Sequence, residues 1–252
     1  MRSLFPIAAA LVIFGCSATS AQNAVPPNIA NAVANQDRPD EDRQRDANRK
    51  PAEVLSFVGI KNGEKVADFI PGKGYFSRIL SSAVGPQGRV YAFVPAEFAS
   101  FLKQPLPANG SMPYPQFKNV SIIAGPVNDF AAPEPLDLVW ISLNYHDLHD
   151  PFLAPADLAK INKAIFAALK PGGRYVIIDH SAEAGSGLRD TNTLHRIDEA
   201  VAKSEVAAAG FRLAAESDLL HNADDPRTAN VRDPAIRGKT EQFILIFRKP
   251  KH

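Results

Sequence analysis

The sequence predicts an α/β domain, a mostly parallel seven-stranded sheet with helices on both faces. Three observations predict it. Short apolar runs alternate with amphipathic segments from about residue 51 onward, the order of βαβ units, whose crossovers impose parallel pairing. The early runs are apolar nearly throughout, as strands covered on both faces must be. The last run, Glu241–Arg248, alternates Phe243, Leu245 and Phe247 with Gln242, Ile244 and Ile246, and reads as a final strand entering by a hairpin.

Element by element, Pro51–Ile60 reads as a short helix with proline in its first turn and Val54, Leu55 and Val58 on one face. Asn62-Gly63 is a turn. Strands follow at Lys65–Ile70, Arg89–Val94, Val120–Ala124, Leu136–Leu143, Arg174–Asp179 and Phe211–Glu216. Helices are expected at Tyr75–Ala83, Ala96–Phe101, Pro155–Leu169 and Ile197–Ala209. In Pro155–Leu169 the stripe Leu158, Ile161, Ile165, Leu169 faces a core, and Pro171-Gly172-Gly173 ends the segment. Leu220–Lys239 has no periodicity and many charges; a stretch that long is expected to be a lid or binding loop. Arg227 and Arg237 within it either clamp an acidic group or tether the loop through Asp224 and Asp225.

The 252 residues suffice for one sizeable domain, residues 51–252, with a real core. Lys plus Arg number 28 against 27 for Asp plus Glu, so no nucleic-acid footprint is present. Residues 22–50 are polar and charged and read as a flexible linker or arm. Residues 1–21 have the order of a signal peptide: Arg2, an apolar run from Leu4 to Gly15, then small residues to Ala21. Processing after Ala21 gives a periplasmic or secreted bacterial protein. Ile13-Phe14-Gly15-Cys16 also looks like a lipoprotein signal, with a lipid anchor on Cys16 and an outer-membrane location. Cys16 is the only cysteine, which leaves the mature chain without a disulfide, a thiol nucleophile or a thiolate metal site.

The segment Val66-Ala67-Asp68-Phe69-Ile70-Pro71-Gly72-Lys73-Gly74 carries most of the functional information. A buried strand ends in a small-residue turn and a helix follows, an arrangement that lets a ligand approach backbone and unpaired helix N–H groups. In an open sheet such ligands lie outside the carboxyl ends of the strands. The other strands place Glu97, Asn128 and Asp129, Asn144-Tyr145-His146-Asp147, and Asp179-His180 at the same edge.

These residues resemble the class I S-adenosylmethionine-dependent methyltransferases. Val66–Gly74 looks like their first motif, Leu169-Lys170-Pro171-Gly172-Gly173-Arg174 resembles the turn before their fifth strand, and Gln242–Phe247 fits their antiparallel seventh. More narrowly, Ile70–Phe76 with Arg237-Gly238-Lys239 is similar to a group of exported bacterial proteins called predicted methyltransferases. The resemblance implies a Rossmann-like methyltransferase fold over about Pro51–Arg248. It also implies S-adenosylmethionine as cofactor, held by Asp68, Pro71, Gly72, Gly74, Tyr75, Glu97, Asp129 and Asn144. Substrate-handling residues are expected after strands four and five. Tyr145 lines the transfer site, His146 acts as a base of near-neutral pKa with Asp147 fixing its tautomer, and Asp179 and His180 face the substrate.

Two departures stand out. Ile70 occupies the place of the family's first glycine; a β-branched residue before proline is expected to stay extended. Val94 occupies the place of the ribose-binding acid, which leaves Glu97 either as its substitute or as a first-turn acid of the next helix. Asp147, His146, His149 and His180 lack the spacing of a known metal motif, so no metal is expected. The functional expectation is methyl transfer to an unidentified small or medium acceptor. The alternative is an exported, non-catalytic binding or structural protein on the same scaffold. The first loop lacks a Gly-x-Gly-x-x-Gly pattern and no Gly-x-Ser-x-Gly elbow is present, which disfavours nicotinamide and hydrolase chemistry.

Overall fold

The computed structural model describes residues 24–251 apart from 104, 112 and 155. The expected signal segment and Cys16 lie outside the described residues, as does Pro155. Seven strands form one sheet: β1 Lys65–Phe69, β2 Arg89–Pro95, β3 Val120–Gly125, β4 Leu136–Ser142, β5 Leu169–His180, β6 Arg212–Ser217 and β7 Gln242–Arg248. Their order is β3-β2-β1-β4-β5-β7-β6. All pair in parallel except β7, which runs antiparallel to both β5 and β6. Strand order reverses between β1 and β4, which fixes where the sheet can open.

The helices cover both faces. On one lie α1 Pro27–Val33, α4 Pro51–Val58 and α5 Tyr75–Val84, where Val54, Leu55, Ile79 and Leu80 pack with Trp140, Val176 and Ile244. On the other lie α7 Leu158–Ala168 and α9 Glu199–Ala208, with Ile161, Ile165 and Val206 against Phe69, Ile141 and Leu245. Short α6 Phe98–Leu102 and α8 Thr191–Leu194 complete the set. Both α7 and α9 start later than their apolar stripes suggest, because an aspartate takes the N-cap: Asp157 accepts from Lys160 N–H at 3.1 Å and Asp198 from Ala200 N–H at 3.0 Å. The Pro171-Gly172-Gly173 turn is a bulge inside β5. Leu136 pairs with Leu169 and Leu138 already with Arg174, so the intervening residues loop out.

Residues 27–49 correct the linker expectation. They form α1, α2 Asp40–Arg43 and α3 Asp46–Arg49, docked on α5. The charges that made the segment look solvated are used in packing. Arg38, 1% exposed, donates to both oxygens of Asp46 at 2.6 and 2.9 Å. Asp42, 2% exposed, accepts from Arg78 of α5 at 2.6 and 2.8 Å. Asn28 Nδ2 donates to the carbonyls of Ile60 and Ala83. Ile29 has no exposed surface and belongs to the main core. Ile29→Ala should therefore destabilise the protein by about 2–5 kcal/mol in urea unfolding. A loosely attached arm would give no measurable change.

Candidate active site

The carboxyl ends of β1 and β4 are splayed by backbone strain. Ile70 has φ 61° and Leu143 φ 60°, left-handed conformations that cost bulky side chains about 1–3 kcal/mol each. The expectation that Ile70 stays extended was wrong. The Ile70 N–H is drawn to Phe93 O in β2 at 3.0 Å, and that of Leu143 to Ile178 O in β5 at 2.7 Å. Each strand exit thus bonds away from the other, and β1 and β4 remain paired only over Val66–Asp68. Asn144 bridges the gap by donating to Ile70 O at 3.3 Å and Ser142 O at 2.7 Å. Its amide positions the loop rather than standing free for a ligand.

Over this opening lies a crevice of about 670 Å³, within the range of small-molecule sites. Lys73, Leu143, His180 and Gln242 come from the strand ends, Arg45 and Arg49 from the docked arm, and Val231 and Arg237 from the loop between β6 and β7. That loop, expected to be a lid or a binding loop, borders the crevice through these two residues. Its tether is Arg196, fully buried, which donates to both oxygens of Asp225 at 3.0 and 2.9 Å. Arg227 turns to Glu241 at 3.3 Å, while Arg237 lines the crevice.

The glycine loop presents two different surfaces. Gly72, φ 55°, has nothing within 4 Å of where a Cβ would stand, so its face is open to a ligand. Gly74, φ 80°, is covered: a Cβ there would fall 1.9 Å from the Tyr114 hydroxyl. Arg78 stacks on the Tyr114 ring at 4.8 Å. Pro71 is half-buried beside Gly72. Tyr75 faces away from the loop and donates to Asp46 at 2.7 Å, ringed by Arg38, Arg45 and Arg49 within 5.5 Å. It braces the arm. Asp68 accepts from the Ser77 hydroxyl at 2.5 Å. Burial pushes its carboxyl up to about 6, with the Ser77 hydrogen bonds and Arg49 partly opposing. Glu97 does not cap the following helix: both its oxygens accept from Val127 N–H at 3.1 and 3.2 Å, at the start of the 3-10 turn after β3. Asp129 is exposed at the end of the 3-10 turn after β3.

After β4 the chain makes a 3-10 turn, His146–His149, which separates neighbouring side chains. Tyr145 goes into the opposite core, fully buried, donating to Glu205 at 2.9 Å and accepting from Asn162 at 3.2 Å; it does not line the transfer site. His146 is also buried, with Nδ1 on Asp179 at 2.9 Å and Nε2 beside Asp147 at 3.2 Å. Burial alone would disfavour its charge, but Asp179 and Asp147 outweigh that and raise it to about 10. A ring so engaged is no free base at neutral pH. Asp179, 0% exposed, accepts from His146 N, His146 Nδ1 and His180 N, so it organises the turn and does not face substrate. His180 shares a 2.7 Å hydrogen bond with Thr240. Burial, against Asp179 and with help from His146 and Arg196, lowers it to about 3, so it is neutral. Sequence reasoning missed Arg45 and Arg49, which it placed in a linker, and Tyr114, which no motif marks.

No protein-family model matches the chain. In sequence it is 28% identical over 194 residues to the ubiquinone/menaquinone biosynthesis C-methyltransferase UbiE of Cronobacter sakazakii, across 71% of this chain and 69% of that protein. It is also 28% identical over 205 residues to the protein of that name from Enterobacter sp. strain 638, across 76% and 73%. In fold it resembles a SAM-dependent methyltransferase from Aquifex aeolicus, with TM-score 0.54 and 20% identity over 86% of this chain and 96% of that one. A methyltransferase from Mesorhizobium loti gives TM-score 0.52 and 12% identity over 81% and 99%. Sheet order and the antiparallel seventh strand, with these likenesses, give the chain the fold of the class I S-adenosylmethionine-dependent methyltransferases.

Asp68 gives a pH test. The free carboxyl titrates near 3.8 and the folded one near 6, so the folded chain holds the proton more tightly. Stability is then lost as pH rises from about 4 to about 6 and does not return above it. Asp68→Asn removes that loss. Its stability relative to the parent should improve by about 2 kcal/mol between pH 4 and pH 8 in urea unfolding; a pH-independent difference would show Asp68 ionised throughout.

Proposed function

We propose that this protein transfers a methyl group from S-adenosylmethionine to a small acceptor carrying an anionic group. The observation that carries this reading is the crevice at the strand-order reversal, lined by Arg45, Arg49, Lys73 and Arg237, with exposed Gly72 next to Lys73 in the chain. Among the described residues Arg45, Lys73 and Arg237 have no ion pair, and Arg49 only stacks on Tyr75 and Phe76. The one methionyl carboxylate of a donor cannot balance four cations, even with Glu41 at the rim, since Asp42 in the same wall is already paired with Arg78, so an anionic acceptor fits the remainder.

The residues present fit the donor. Gly72 offers bare, exposed backbone, and Asp68, which accepts from Ser77, stands under the loop as an acceptor. When bound, S-adenosylmethionine supplies a methyl group activated by its sulfonium. What this chain contributes is position. Arg45, Lys73 and Arg237 orient the acceptor through its charge. His180, neutral, takes a hydrogen bond from it. Val231 and Arg237 bring the lid loop across the crevice and limit water. The relatives' named chemistry, C-methylation in ubiquinone/menaquinone biosynthesis, is the first acceptor class to assay.

Calorimetry with S-adenosylmethionine and its demethylated product should show binding to the full chain. Gly72→Val, strained at φ 55° and filling the open face, should weaken it at least tenfold. Absence of heat and of thermal stabilisation at millimolar ligand would leave a non-catalytic scaffold instead. We also infer export, supported by the charged, apolar, small order of residues 2–21. Mass spectrometry of the mature chain should find either a start after Ala21 or a lipidated Cys16; an intact Met1 terminus would refute it.

A further inference from the structure

We infer that His146, Asp147, Asp150 and His195 bind one divalent transition-metal ion of the zinc type, behind the crevice wall. The first three come from the turn after β4 and the fourth from the residue following α8. His195 holds φ 54°, and left there it aims its ring back at that turn. The ligand atoms of His146, Asp147 and His195 all lie within 4.8 Å of one another. Asp147 Oδ1 is 3.2 Å from His146 Nε2 and 3.7 Å from His195 Nδ1. Asp150 Oδ2 is 3.9 Å from His195 Nδ1. Metal bonds of about 2.1 Å give a tetrahedron with edges of about 3.4 Å; His146, Asp147 and His195 stand near three of its corners, and Asp150, outside that trio and 3.9 Å from His195, completes it by turning its carboxylate inward.

Two further observations point to a missing cation. Asp150 is 2% exposed and neither carboxylate oxygen has a hydrogen-bond partner. The Thr191 hydroxyl stands near enough to favour the charged carboxylate, but Leu188 O at 3.3 Å competes for its one proton. The His195 Nδ1 is buried and unpartnered as well. A bare buried carboxylate is expensive, and an ion between these atoms would satisfy all of them together. The outer shell is also in place. His146 turns its other nitrogen to Asp179 at 2.9 Å, the carboxylate–histidine arrangement that orients metal-bound imidazoles. Two imidazoles and two carboxylates carry a net charge that a dication neutralises, and the mixed donors suit a borderline ion better than magnesium. Four protein ligands leave no open position, so the ion clamps the end of β4 to the segment after α8. The sequence led to no metal expectation, and two of the four residues weighed there have other partners. His149 lies 3.3 Å from Glu205 instead, and His180 bonds Thr240.

The test needs no methyl donor, so it stands or falls separately from the methyltransferase reading. Chelator-treated, desalted full-length protein is dialysed against Zn²⁺ with excess Mg²⁺, and bound zinc is counted by mass spectrometry. One equivalent per chain and a raised thermal midpoint are expected. Asp150→Asn and His195→Gln should each weaken uptake at least tenfold, while His221→Gln, on an exposed histidine, leaves it unchanged. Visible absorption of the Co²⁺-loaded parent should report tetrahedral nitrogen and oxygen ligands, a reading independent of how any variant folds. No saturable uptake, an octahedral cobalt spectrum, or uptake unchanged in the Asp150→Asn/His195→Gln double variant would overturn the proposal.

Discussion

The crevice exists because two adjacent parallel strands are forced apart at their carboxyl ends. Ile70 and Leu143 adopt left-handed backbone that neither side chain favours. Their N–H groups explain why. Each completes the ladder with its outer neighbour, β2 or β5, so the strain is offset by hydrogen bonds that a relaxed exit would lose. Ile70 is also 4% exposed and packed in the core under Phe69 and Phe93, which over-determines its position. The single Asn144 amide that crosses the gap keeps the opening at one width. Loop, crevice and lid all take their places from that divergence.

Much of the fold was legible because it rests on period and punctuation. All seven strands fall within a few residues of their apolar runs, and the Gly72–Gly74 turn stands where a strand meets a helix. The arm was illegible for a physical reason. Its Arg38, Asp42 and Asp46 look solvated in sequence, yet they are paired with one another or with Arg78 and Tyr75, and pairing makes burial of charge affordable. Composition registers charge and not partners.

The site was legible as a location and not as a set of roles. Residues after β4 and β5 do gather at the crevice end, but a 3-10 turn throws adjacent side chains to different sides. Tyr145 enters one core while His146 meets Asp179. A name in a strand-end motif therefore says little about which face its side chain serves. His195 was beyond reach for another reason: it lies far along the chain from His146, and only the fold brings the two rings to 5.4 Å.

The electrostatics form two zones, and their boundary bears on catalysis. Cations line the crevice, while Asp147, Asp150 and Asp179 lie buried behind it. His180 stands between them, lowered to about 3, so it neither holds a proton to give nor readily takes one. With both ring nitrogens of His146 engaged, Nδ1 on Asp179 and Nε2 beside Asp147, the wall offers no strong general base. A crevice of Arg45, Arg49, Lys73 and Arg237 supplies the alternative. Cations within a few ångströms in a partly dehydrated site stabilise the ionised form of an acidic oxygen or carbon nucleophile. Burial, with Arg45 adding to it and Tyr75, Asp42 and Asp68 opposing, already lowers Arg49 to about 10, so an anion beside it would strengthen its charged form. The acceptor would then lose its proton to solvent on binding, and methyl transfer to it would require placement alone.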